Sequence, residues 1–419
     1  MELKGVASSV SKPACQLRVG GTAAAELILA KLFEMTTWDT AIIGGGIIGV
    51  SSALALAEAG LRVAVFDRQE PGREASWAAA GMLSPAPHLP GDEPLVALAR
   101  ESLRLYPEFI SSIEAASQKR ANYKKAGAMD LFFGADAPQE CDRYVESCQS
   151  LGLQVESISA TEARRRESVI ASTARAAAFF PDEAAVEPRA LMEAAIEAAQ
   201  ARGVEIYANA PVQSLTIQQN RCSAIIAGSE HFAVNHVVIA AGCFSHELFA
   251  SDSFCGQRLA PFLPTRPVRG QMLALSPRDT TLACAVRSSR GYLVPRANGS
   301  IVAGSTLEEA GFDKHTTTDG LQKIRTAALE LVPDLADADI VESWCGLRPG
   351  TPDGLPILGP VDIEGVILAT GHFRNGVLLA PVTAQLVKAW ITQGELPVPV
   401  DAYSPFRFLS SAVRAQATS

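Results

Sequence analysis

Gly44, Gly46 and Gly49 form a G-x-G-x-x-G array, and an acid, Asp67, stands 18 residues beyond the last of them. Those residue types at that spacing suit the binding of a dinucleotide. The first glycine permits a tight turn, the second lets a pyrophosphate approach the backbone, and the third lets a helix pack close to a strand. The acid can accept both hydroxyls of a ribose, and its charge would repel a 2′-phosphate, which argues against NADP. The same glycines could mark a structural turn in some other α/β fold, so the flanking pattern has to decide.

That pattern favours the nucleotide reading. Thr40 to Ile43 is a short apolar run that predicts a strand. Ile47 to Ala59 predicts a helix whose free N–H groups face the phosphates, and Gly60 stops it as a C′ glycine does. Leu61 to Phe66 predicts the second strand of a βαβ unit, with Asp67 at its end. Further along, Arg73 to Pro85 is rich in small residues, which suits close approach of backbone to a flat ligand and equally suits an alanine-rich helix start. His236 to Gly242 and Val366 to Gly371 are buried-type strands, the latter followed by a helical pattern from Gly376 to Thr392. From Pro264 to Ala310 short strands dominate, which predicts an antiparallel sheet, and Thr318 to Leu331 predicts a helix.

The fold class expected is α/β, a Rossmann-type nucleotide-binding domain with an inserted antiparallel-sheet substrate domain. The nucleotide-binding part would comprise residues 36–90, 180–262 and 340–400, and the substrate part 91–179 and 263–339. Residues 1–35 read as a disordered or mis-started N-terminal extension, with Met35 a candidate first residue, and 401–419 as a C-terminal tail.

Two segments near the C-terminus carry further chemistry, Trp344 to Gly359 and Ala369 to Pro381. The first contains G-L-R-P-x-T-P-D-G-x-P-x-x-G and the second G-H-F-R-N-G. With the glycine fingerprint and the Ala-Gly run, they make the chain similar to the D-amino-acid oxidase superfamily of flavoenzymes, its glycine-oxidase branch in particular, from Thr36 to about Leu396. The resemblance implies FAD as cofactor, a small amino acid and dioxygen as reactants, and hydride transfer from Cα–H to the flavin. It implies that Arg348 binds the substrate carboxylate, a task a bidentate and permanently charged guanidinium suits. Tyr292, in the Y-L-V-P-R run, would share that carboxylate, and Arg374 would lie on the substrate side.

The implied cofactor contacts are Gly44, Gly46, Ile47, Ile48, Gly49, Asp67, Arg68, Ala75, Ser76, Ala80, Gly81, Met82 and Val212, then His372, Phe373, Arg374, Asn375, Gly376, Val377 and Leu378. The helix that follows Gly371–Gly376 would turn its positive end toward a reduced flavin ring. Two departures from the family pattern stand out. Arg290 replaces a histidine and would add a second basic group at the pocket mouth, and Leu307 lies where a methionine can occur. Sarcosine oxidase-like enzymes, D-amino-acid dehydrogenases and a non-catalytic flavin binder remain alternatives within the pattern. Similar enzymes form homotetramers, and a role in making the thiamine thiazole is the implied use of the product.

Composition excludes other classes. The net charge is −9 without a basic cluster, which argues against nucleic acid. There is no apolar run of the ~18 residues a membrane span needs. Eight cysteines are scattered with no C-x-x-C pair, which predicts reduced, mostly buried thiols in a cytoplasmic enzyme and no metal site.

Overall fold

The first strand, Thr37–Ile43, is hydrogen-bonded on one side to Val63–Phe66 and on the other to Glu230–Ile239, both in parallel. Parallel strands need crossovers, and a sheet covered on both faces can carry unbroken apolar runs. Val63–Phe66 and Val366–Thr370 are accordingly buried at every position. The computed structural model describes residues 37–89, 91–248 and 258–409. The expectations for the N-terminal extension, for Cys15 and Cys255, and for the tail beyond 409 lie outside the described residues.

The first sheet runs in the order Ile357–Pro360, Val366–Thr370, Glu230–Ile239, Thr37–Ile43, Val63–Phe66, Glu205–Tyr207. Five of these strands are parallel, and only the Ile357–Pro360 edge runs against its neighbour. The hairpin Val212–Gln218 and Arg221–Ala227 extends from Glu230–Ile239. Apolar clusters cover both faces of this sheet. No helix among the described residues is long and apolar enough to cross a membrane.

The second sheet has eight strands in the order Asp339–Gly350, Arg266–Ser276, Ile301–Gly304, Gly291–Pro295, Ala285–Ser288, Ala128–Phe133, Ala174–Phe180, Glu156–Ser159. It is antiparallel except where Ala285–Ser288 meets Ala128–Phe133 in parallel. Two segments fall differently from the sequence reading. Asp339–Gly350, at the start of the segment grouped with the nucleotide-binding part, pairs along its length with Arg266–Ser276 in the second sheet. The helix Val96–Ser117, grouped with the substrate part, buries Leu98, Tyr106, Ile110 and Ile113 in the core over the first sheet. An amphipathic helix goes where an apolar face awaits it, and that partner is distant in sequence.

This helix also repairs a defect in the last one. Gly376–Thr392 carries Pro381, which has no N–H to give to the carbonyl four residues earlier. That carbonyl belongs to Val377, and the hydroxyl of fully buried Tyr106 donates to it at 2.7 Å. Ser102 donates to the next carbonyl, Leu378, at 2.6 Å. The start of the last helix is thereby fixed from the side. Tyr106→Phe leaves the Val377 carbonyl unpaired in the core and is expected to cost about 1–3 kcal/mol. Chemical denaturation of the two proteins reads the difference, and an unchanged midpoint and slope would contradict this role for Tyr106.

Candidate functional site

The glycine turn between Ile43 and Ile47 is held by its own close packing and by Asp67. Gly44 has φ +109°, and the carbonyl of Gly44 lies where a side chain on Gly49 would start, 1.9 Å from an ideal Cβ. Only glycine at both positions lets the helix Ile47–Glu58 start so close to the strand. Asp67 ties the turn down. Its Oδ2 accepts the Gly45 N–H at 2.7 Å and its Oδ1 accepts the Gln69 N–H at 3.0 Å. An ionised carboxylate has about four acceptor positions, so two remain for ribose hydroxyls. Burial pushes the Asp67 carboxyl above its ordinary pKa.

From Asp67 a cavity of about 470 Å³ passes the glycine turn and runs between the two sheets to Arg348. Gly44, Gly46, Ile47, Ile48, Asp67, Arg68, Ala75, Ser76, Ala80, Gly81, Met82 and Val212 line it, as do the run His372–Val377, Arg348 and Tyr292. Gly49 and Leu378 do not. Gly49 lies beneath the turn, and Leu378 is buried in the core behind the last helix. The donor set fits a dinucleotide at one end and a flat ring at the other. The first turn of Ile47–Glu58 holds no acid that would oppose a phosphate, and neither does that of Gly376–Thr392. Small side chains at Ala75, Ala78, Ala79 and Ala80 form a flat wall between.

Arg348 projects from the edge strand Asp339–Gly350, opposite Val268. Its guanidinium lies over Gly270, where an added Cβ would stand 2.0 Å from Nη1. Nη1 donates to the Thr306 carbonyl at 3.1 Å and Nη2 to Ser305 Oγ at 2.7 Å. Among the described residues no carboxylate forms a salt bridge with it, and burial lowers its pKa. The strand pairing sets its place. The Tyr292 hydroxyl lies close enough to Arg348 to favour its charge and donates to Met272 Sδ at 3.3 Å.

Arg374 borders the cavity but is already engaged, its Nη2 donating to Asp92 Oδ2 at 2.6 Å. Arg68 stacks over the Phe244 ring at 3.4 Å and pairs with Glu74. Arg290 is a correction to the sequence reading. It forms an exposed pair with Glu330 and does not line the cavity. Cys345 is half-buried rather than buried, its thiol pointing to the Lys314 carbonyl, and it too is outside the cavity wall. The other five described cysteines are buried. No cluster of metal-ligating groups occurs among the described residues.

Sequence reasoning missed Gly270, Ser305, Met272, Ser84, His88 and Asp92. Only Gly270 left a signal, a glycine inside a strand, which often marks close approach by another group.

His372 lies in the wall with its Nε2 against Thr383 Oγ1 at 3.0 Å. Burial lowers its pKa to about 3. The unfolded chain binds a proton on this histidine near its ordinary value of 6.5, whereas the fold does not. Stability therefore falls as pH drops from 6.5 toward 3. The pH dependence of Tm is expected to be shallower over that range in His372→Asn, by about one proton's worth of slope. Parallel curves for the two proteins would contradict it.

The FAD dependent oxidoreductase family model matches residues 39–390. The bifunctional protein ThiO/ThiG of Synechocystis is 34% identical over 383 residues, 90% of this chain but only 55% of that protein, so the chain spans about half its length. The glycine oxidase of Pseudomonas putida is 32% identical, with 87% of this chain and 97% of that protein covered. The hydrogen cyanide synthase subunit HcnC of Pseudomonas aeruginosa is 30% identical, covering 89% and 96%. Among solved structures, glycine oxidase from Geobacillus kaustophilus matches with a TM-score of 0.83 and 29% identity, over 90% of this chain and all of that one. The chain belongs to the FAD-dependent oxidoreductase family, and its cofactor is FAD.

Proposed function

We propose that this protein oxidises glycine and other small amino acids, sarcosine and small D-amino acids among them, to the imine. The observation that carries the reading is Arg348. A guanidinium packed against neutral acceptors, with no acid partner, is matched by a substrate carboxylate, which it can bind through two N–H groups. Tyr292 adds a hydroxyl at the same place.

FAD, which the glycine turn at Gly44–Gly49, Asp67 and the run His372–Val377 would hold, would supply the acceptor for a hydride from Cα and the route for its electrons to dioxygen. The chain's own groups position and polarise. Arg348 and Tyr292 would hold the carboxylate, and the positive end of Gly376–Thr392, which borders the cavity, would favour negative charge on a ring bound there. No general base is required if the amine is neutral when it reacts. The imine then hydrolyses to an oxo acid and ammonia. The similarity to ThiO/ThiG supports a use of the product in thiazole formation. The similarity to the hydrogen cyanide synthase subunit HcnC supports a different end product, hydrogen cyanide.

Anaerobic addition of glycine, sarcosine, D-alanine or D-proline to the FAD-loaded protein tests the reading. Glycine is expected to bleach the oxidised flavin band, and air to restore it with hydrogen peroxide. Bleaching only by bulky D-amino acids, with slow return in air, would favour a dehydrogenase. A protein that no amine bleaches would overturn the reading. Gly270→Ala, which displaces the Arg348 guanidinium, is expected to keep FAD and lower kcat/KM for glycine about 100-fold. Unchanged kinetics would contradict the carboxylate assignment.

A further inference from the structure

Ser84 and His88 lie on the loop that follows Met82–Leu83 and border the cavity, yet the carboxylate clamp uses neither. Ser84 is buried, and its hydroxyl donates to Glu183 Oε1 at 2.7 Å. Glu183 is held in turn by Arg287, whose Nη1 donates to Oε2 at 2.6 Å while its Nε donates to Asp130 Oδ1 at 2.5 Å. All of these groups are buried. A serine hydroxyl has one proton, and here it is committed to a carboxylate. The 2.9 Å contact between Ser84 Oγ and His88 Nε2 is therefore donated by Nε2–H.

This fixes the tautomer of His88. The proton sits on Nε2, and Nδ1 keeps a lone pair with no hydrogen-bond partner among the described residues. The ring is uncharged at neutral pH. His88 is exposed on one side, and the protein packed against its other side, with Arg287 and Arg374 nearby, lowers its pKa against the opposing pull of Asp130 and Asp92.

The corner is joined to the Arg348 end of the cavity. Asp92 Oδ2 accepts Arg374 Nη2 and also the backbone N–H groups of His88 at 3.0 Å and Leu89 at 2.9 Å. Arg374 and Arg348 in turn lie close enough for their charges to oppose one another. The loop that carries His88 is thus pinned beside the clamp, and Asp92 neutralises Arg374, leaving Arg348 as the charge free to take an anion.

We propose that His88 Nδ1 is the acceptor for the substrate's amino group, so that the Ser84–His88 pair selects amines that carry an N–H. The inference rests on Arg348 as the carboxylate anchor. A carboxylate alone has no N–H to give, so the two recognition elements can be read separately.

Two probes separate them in the FAD-loaded protein. Acetate offers only the carboxylate. The amino acid 2-aminoisobutyrate offers carboxylate and amine, and without a Cα–H it cannot be oxidised. Their affinities follow from the perturbation of the flavin spectrum. His88→Leu is expected to weaken 2-aminoisobutyrate about tenfold, the value of one charge-assisted hydrogen bond, and to leave acetate within about twofold. Ser84→Ala, which frees the tautomer, is expected to give a smaller loss of the same kind. In the wild type, nitrogen NMR of labelled histidine is expected to find Nδ1 unprotonated from about pH 6 to 8. Equal losses for both probes, no loss for either, or a protonated Nδ1 would overturn the proposal. A wild type that does not bind acetate would remove the carboxylate anchor, and the proposal with it.

Discussion

Withdrawing a guanidinium from water without an acid partner is unfavourable, even where burial is partial, because neutral acceptors replace only part of the charge's hydration. Arg348 is in that position, and the surrounding structure is arranged to keep it there. Gly270 leaves the space its guanidinium lies in. Ser305 and the Thr306 carbonyl take two N–H groups without cancelling the charge. Glu308, the acid whose charge reaches Arg348, is held by Arg269 and Gln271, and Asp92 by Arg374 and two backbone N–H groups. The unfavourable term left in the free protein becomes a driving force for binding an anion of the right shape.

Bringing that charge to the nucleotide site depends on how the two sheets meet. The first sheet delivers the glycine turn, and the last helix starts beside it with no acid in its first turn. Tyr106 and Ser102 settle the carbonyls that Pro381 disturbs, so the helix start is held without a full ladder of its own. Contacts between distant segments close the gap. Arg189 makes a two-pronged bond to Glu342 on the edge strand while stacking over Trp77, and Lys314 reaches Glu74 beside the nucleotide end. These pairs are partly exposed, so their value lies more in register than in stability.

Much of this was legible in the sequence where the signal is local. The helices Thr318–Leu331 and Gly376–Thr392 have the bounds their periodicity predicts. The βαβ unit follows from the glycines and the apolar runs, although its strands are displaced by two or three residues at their starts. What was illegible depends on partners far along the chain. Trp344 to Gly350 contains Gly346, Pro349 and Gly350, residues that strands disfavour, and only its pairing with Arg266–Ser276 makes it a strand. Arg374 and Asp92 are 282 residues apart, and nothing near either one announces the other. Arg290 looked like a pocket residue because it neighbours Tyr292, but it sits by the hairpin turn joining Ala285–Ser288 to Gly291–Pro295 and turns to Glu330.

The central claim is that Arg348 is an unpaired charge awaiting a carboxylate. Acetate affinity of the FAD-loaded protein, compared between wild type and Arg348→Met, tests it most directly because no chemistry intervenes. Loss of two charge-assisted hydrogen bonds predicts weakening of about 100-fold or more at equal FAD content. Equal acetate affinity in the two proteins would contradict the account and leave Arg348 a structural residue of its strand.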